Sequence, residues 1–194
     1  MRSARMRTVT VAAITAMAAV SPLRAKVFMT QDEALKAGLP AEAEVVRETA
    51  YLTDEQAGRI ERIVGGPPAS RVIPYYVARK DGSVMATAYF DTHVVRTLPE
   101  TIMVVIGPKA VIESIHVLSF SEPEEYLPRE RWIQQLDGRG SDDDLSLRGD
   151  IRPMTGATLS ARAIVSAARR ILALHEVLAA PSEKSPAEPR ENER

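Results

Sequence analysis

Along the chain the spacing of apolar positions changes period twice, and each change predicts a different kind of element. Residues 30–37 and 53–64 follow a helical period, the second with Ala57, Ile60, Ile63 and Val64 along one side. Each opens on a capping signature, Thr30-x-x-Glu33 or Thr53-x-x-Gln56, in which the hydroxyl serves a free amide of the first turn. The run Gly65-Gly66-Pro67-Pro68 cannot continue a helix and ends the second one in a turn. From residue 71 the period shortens to that of a strand. Residues 72–79 and 84–90, rich in β-branched and aromatic side chains, flank Lys80-Asp81-Gly82-Ser83 and predict a hairpin. Residues 101–106 and 111–120, around Gly107-Pro108, predict a second. Pro74 deletes a ladder donor, so its strand is expected at a sheet edge or with a bulge.

The period lengthens again after Thr158, where Ile164, Ala168, Ile171, Leu174 and Leu178 recur at helical spacing and predict a helix to about residue 180. Arg162, Ser166, Arg169, Arg170 and Glu176 fall largely on its other side. Between the second hairpin and this helix, residues 122–136 form a short helical or turn-rich cover with Trp132, the chain's one tryptophan. Residues 138–149 form a polar loop whose run Asp142-Asp143-Asp144 lacks the glycine and distal glutamate of a calcium loop and reads as solvated. The predicted class is α+β: a mainly antiparallel sheet of two hairpins, packed with a long C-terminal helix and short N-terminal helices. Residues 26–66 are expected as an N-terminal helical arm and 67–180 as the core. Residues 181–194, built from Pro, Glu, Ser, Lys and Arg, are expected as a disordered tail.

Composition narrows the function. At 194 residues, 45% hydrophobic and 26% charged, the chain fits one ordinary globular domain. A domain of that size holds its core without disulfides or a structural metal. With no cysteine it has no thiolate nucleophile, no haem attached through Cys-x-x-Cys-His, no iron–sulfur cluster and no cysteine-based zinc site. Any redox role needs another cofactor. At the N-terminus Arg2, Arg5 and Arg7 precede an apolar run over 8–20, followed by Ser21-Pro22 and Leu23-Arg24-Ala25. That pattern reads as a secretory signal over 1–25 with the mature chain starting near Lys26, and the run is well short of the ~20 residues that span hydrocarbon. The expected location is therefore the periplasm or the outer face of the cytoplasmic membrane. Removal of 1–25 leaves 21 basic against 26 acidic residues, a net charge of −5. No nucleic-acid partner is expected of such a chain.

One motif carries chemistry. Thr155-Gly156-Ala157-Thr158-Leu159-Ser160 stands where a loop becomes the long helix, and the free amides and positive dipole end of a helix start favour an anion. Thr158 puts a hydroxyl at the same point, so the segment offers a seat for a phosphate and an oxygen to esterify. The residues alone equally fit a plainer role, with Thr155 or Thr158 capping the helix and Gly156 easing the turn.

The segment resembles the flavinylation motif of the FMN-binding domain found in covalently flavinylated subunits of the sodium-pumping NADH:quinone oxidoreductase and the Rnf complex. In that family it reads Ser/Thr-Gly-Ala-Thr, a hydrophobic residue, then Ser/Thr, and all six positions match. The likeness runs from about residue 45 to 178 and includes Ala88-Tyr89-Phe90-Asp91-Thr92-His93 and Glu122-Pro123-Glu124-Glu125-Tyr126. It implies a flavin electron carrier in which a flavin transferase esterifies Thr158 with FMN drawn from FAD, reading an acid upstream, here Asp150. Thr155, Gly156, Ala157, Leu159 and Ser160 would surround the link. Redox partner proteins or a quinone-linked membrane complex would exchange the electrons. His93, Arg96, Tyr126 and Trp132 are candidate neighbours of the isoalloxazine: an aromatic packs on the ring, and a cation near its pyrimidine end favours the anionic reduced form. Each also has a packing or surface reading, and His116 and His175 read as structural. Three other functions compete, of which a flavin-dependent reductase lacks any segment resembling an additional substrate domain. A serine hydrolase lacks its Gly-x-Ser-x-Gly elbow here. A binding or sensory module of the same fold would hold flavin reversibly or not at all.

Overall fold

The computed structural model describes residues 26–180. Residues 1–25, expected as a secretory signal, and 181–194, expected as a tail, lie outside the described residues. Six strands form one antiparallel sheet: β1 (Lys26–Val27), β2 (Glu44–Tyr51), β3 (Val72–Lys80), β4 (Ser83–Val94), β5 (Pro99–Ile106) and β6 (Ile112–Phe120). Their spatial order is β1-β6-β5-β4-β3-β2. The helices are α1 (Gln31–Gly38), α2 (Asp54–Val64), the single turn α3 (Glu130–Ile133) and the 22-residue α4 (Thr158–Ala179). The class is α+β, as the patterning indicates. Among the described residues no helix is long and apolar enough to cross a membrane.

Local chemistry accounts for most of these boundaries. Both capping boxes form, on Thr30 with Glu33 and on Thr53 with Gln56, and α2 stops at Gly65 in the left-handed conformation (φ 81°). Asp81 and Gly82 both take positive φ, 51° and 77°, the two-residue turn whose twist suits a β3–β4 hairpin. Pro74 pairs with Thr49 of β2 but lies just past the last β3–β4 pair, Tyr75 with Tyr89. The strand is therefore internal to the sheet, and the proline sits where it has a neighbour on one side only. The bulge falls elsewhere, between Ala78 and Arg79.

The stretch 26–66 is more than a helical arm, because it supplies both edge strands. β2 escapes the alternation test: its residues are nearly all exposed or half-buried, so its side chains show no apolar face. β1 is two residues long and carries no periodic signal.

Alternation is clearest on β5, which lies inside the sheet with a layer on each side. Ile102, Val104 and Ile106 face a core shared with α2, α3 and α4, while Met103 and Val105 face a smaller one shared with α1. Ile164, Ala168, Ile171 and Val177 of α4 fill the first core. Each fully buried Ile there contributes about 2–3 kcal/mol through removal from water. Further along α4, His175 Nδ1 meets Tyr89 Oη at 3.0 Å, and Tyr89 stacks on Tyr75 with ring centroids 5.6 Å apart. This packing sets α4 along β4, which fixes what surrounds its N-terminal end.

Candidate functional site

The loop 152–157 delivers the chain into α4 by two devices. Gly156 takes φ 87°, a conformation that costs a side-chain-bearing residue strain, although a Cβ there would meet nothing within 4 Å. Backbone conformation, rather than room for an approaching group, is what asks for glycine. Ala157 is the N-cap residue, and no side chain caps this end. The Thr158 hydroxyl instead donates back to the Met154 carbonyl at 3.0 Å. The first-turn amides of α4 therefore have neither a helical acceptor nor a capping oxygen, which leaves them open to an anion.

A cleft of about 200 Å³ opens at this point. Thr158, Leu159 and Ser160 with Gly156 and Ala157 form one wall, and Val95, Arg96, Glu122 and Tyr126 form the other. Thr158 is exposed and Leu159 is 47% exposed at the mouth, whereas Ala157 and Ser160 are buried and shape its base. The opposite wall hangs on Glu122. One of its carboxylate oxygens accepts from the amides of Thr97 and Leu98 and from the Thr97 hydroxyl, at 2.8, 3.0 and 3.2 Å. The backbone bonds to Thr97 and its neighbours hold the carboxyl below the usual range, so it stays charged at neutral pH. Glu122 is thus occupied as a turn anchor that places Arg96, and Arg96 forms no salt bridge among the described residues.

Of the residues singled out from the sequence, Tyr126 and Arg96 come together with Gly156, Ala157, Thr158, Leu159 and Ser160, and Thr155, His93 and Trp132 do not. Thr155 is exposed and lines a separate hollow with Trp132. Trp132 is 9% exposed, and its indole N–H donates to the Arg152 carbonyl at 2.7 Å, pinning the loop. Asp150 is paired with Arg139 at 3.0 Å, as is Asp143 of the acidic run at 3.3 Å. Sequence reasoning passed over Val95 and Glu122 as cleft residues; their signal, a turn held by a distant carboxylate, is visible only in three dimensions.

His93 lies in a polar cluster beneath the middle of α4. Its Nδ1 meets Asp91 at 2.7 Å and its Nε2 meets Glu100 at 3.0 Å, while Asp91 also receives Arg170 at 2.8 Å. Burial alone would lower the imidazole, but hydrogen bonds and charge from the two carboxylates outweigh it and push His93 up to about 9. Burial raises Glu100, partly offset by His93, and its other oxygen is buried without a partner. Burial also opposes ionisation of Asp91, but His93 and Arg170 overcome it and hold Asp91 below its usual range. His93 is therefore a cation locked between carboxylates. His116 bonds Ser114 and His175 bonds Tyr89, both within the fold. Among the described residues no group of three His, Asp or Glu is arranged to hold a metal. No family model, no curated protein and no solved structure matches this chain.

Proposed function

We propose that the protein is an exported flavin electron carrier with FMN joined by a phosphoester to Thr158. The observation that carries this reading is the meeting, at one uncapped helix start, of an exposed threonine hydroxyl with open backbone amides, a guanidinium and a tyrosine. The amides of the first turn of α4 seat the phosphate. Tyr126 and Leu159 supply apolar surface for the isoalloxazine, and Arg96 supplies a positive charge that favours the anionic reduced ring.

Attachment requires a flavin transferase and FAD. The Thr158 oxygen attacks the phosphorus of the riboflavin half, the phosphoanhydride bond breaks, AMP leaves, and the hydroxyl proton passes to solvent. The hydroxyl must first release Met154. Glu122 commits one carboxylate oxygen to the turn it anchors. An ester suits an exported carrier, since a cofactor held by equilibrium binding alone is lost to a dilute exterior by mass action. Electrons then pass to redox partner proteins or a quinone-linked membrane complex.

The test is coexpression of the full chain with a flavin transferase, read by intact mass and by flavin fluorescence on a denaturing gel. The wild type should gain the mass of FMN less water, Thr158→Ala should gain nothing, and Thr155→Ala should keep at least part. Covalent flavin on folded Thr158→Ala would overturn the assignment. A wild type that never gains the mass would overturn the carrier reading, leaving the same fold as a reversible binding module.

A further inference from the structure

The loop that bears the flavin motif has a second side. Away from the Thr158 cleft lies a larger cavity of about 700 Å³. Trp132, Pro153 and Met154 give it an apolar surface, and Arg129, Arg131 and Arg152 stand around it. These three arginines are exposed and form no salt bridge among the described residues, whereas a fourth, Arg139, is held by Asp143 and Asp150. The contrast with the rest of the molecule is one of sign. Residues 26–180 carry 18 basic and 22 acidic side chains, yet the cavity wall sets four arginines against Asp150 alone.

We propose that this cavity binds a nucleoside phosphate, with the base on the Trp132–Pro153–Met154 surface and the phosphate held by Arg129, Arg131 and Arg152. The hollow is open and lined mainly by arginines and other polar residues, with three apolar side chains among them, an arrangement that fits a charged small molecule carrying one planar apolar part. Guanidinium forks match phosphate oxygens two at a time and also stack on planar bases, which a lysine rim could not do. The Trp132 indole N–H is already used on the Arg152 carbonyl and the residue is only 9% exposed, so its ring lends an edge to an apolar surface that Pro153 and Met154 mostly supply. The site does not depend on FMN at Thr158, because the two hollows share no lining residue, with Thr155 lining one and Thr158 the other.

The chain's one tryptophan lies in this cavity, so its emission reports occupancy directly. Flavin-free mature protein titrated with AMP or ADP should show a saturable change in Trp132 emission, with a Kd between roughly 10 and 500 µM. Adenosine should bind at least tenfold more weakly, and so should ADP to the double variant Arg131→Gln/Arg152→Gln. That variant retains the backbone carbonyl that Trp132 uses. Thr158→Ala should bind ADP as the wild type does, which separates this result from the fate of the flavin reading. No saturable signal by emission or calorimetry up to about 5 mM ADP would overturn the proposal, as would equal affinity in the double variant. Inorganic pyrophosphate binding as tightly as ADP would overturn the assignment to a nucleotide.

Discussion

Thr158 and Arg170 stand on the same helix in opposite surroundings. Arg170 belongs to a closed cluster with Asp91, His93 and Glu100, in which only one Glu100 oxygen lacks a partner. Thr158 opens an end of the helix that no side chain caps, and its hydroxyl makes a single exposed bond to a carbonyl. A buried polar group left unpaired costs as much as a lost hydrogen bond, so the middle of the helix satisfies its charges internally. An exposed helix start is solvated by water, so its unused donors cost little and remain available to a ligand. The histidine singled out from the sequence is enclosed by two carboxylates, and the threonine that could have been a cap bonds a carbonyl instead.

Removing the closed cluster's central cation should have the largest effect on stability. His93→Leu leaves Glu100 buried with no partner and Asp91 with Arg170 alone, a loss of about 3–5 kcal/mol in urea unfolding. A cost below about 0.5 kcal/mol would mean the cluster is solvated and the contrast false. Flavin attachment to the folded fraction should persist.

The pH dependence follows from the same residue. The folded His93 titrates near 9, above its ordinary 6.5, so its contribution is complete below pH 6.5 and is lost as pH rises through 9. The difference corresponds to about 3 kcal/mol between pH 6 and 9.5. Burial raises Glu100 as well, which acts in the same direction, while burial lowers His116 and His175, whose titration acts in the opposite sense and toward the acid end. Unfolding free energies measured across the window should fall in the wild type. They should be nearly flat in His93→Gln.

Smaller effects belong to the open end. Gly156→Ala puts a Cβ on a residue at φ 87° and should cost about 1 kcal/mol, with slower flavinylation because the loop is misdirected. Thr158→Ala should move stability by less than about 0.5 kcal/mol, yet abolish covalent flavin entirely. The order of stability losses is thus the reverse of the order of flavin losses. A Thr158→Ala protein that melts with His93→Leu would collapse the distinction.

Much of this was legible in the chain. Thr30, Thr53 and Asp81-Gly82 act on neighbours within a few residues, and the apolar step of α4 buries as its period indicates. What could not be read depends on distant partners. β2 is a strand because β3 lies beside it, while its own exposed side chains carry no face to recognise. Trp132 was a candidate for the flavin face, but it is held by a carbonyl twenty residues away and does not line the Thr158 cleft. Four arginines spread from 129 to 152 converge on one hollow through α3 and the loop that follows, a neighbourhood no sequence spacing encodes.

The length of α4 makes the motif a matter of phase. A helix turns its side chains by roughly 100° per residue. Arg170 and His175 clamp the rod against β4 at fixed azimuths, and Thr158 inherits its direction from them. Inserting one alanine between Ala163 and Ile164 would leave all six motif residues intact and keep the same side chains from Ile164 onward in the core. The packed half would then keep its grip while the first turn rotated by about 100°, swinging the hydroxyl away from Arg96 and Tyr126. A transferase could still meet the motif as a string of letters, but the flavin it attached would face another direction. On the proposed reading the address of the flavin is an angle as well as a sequence.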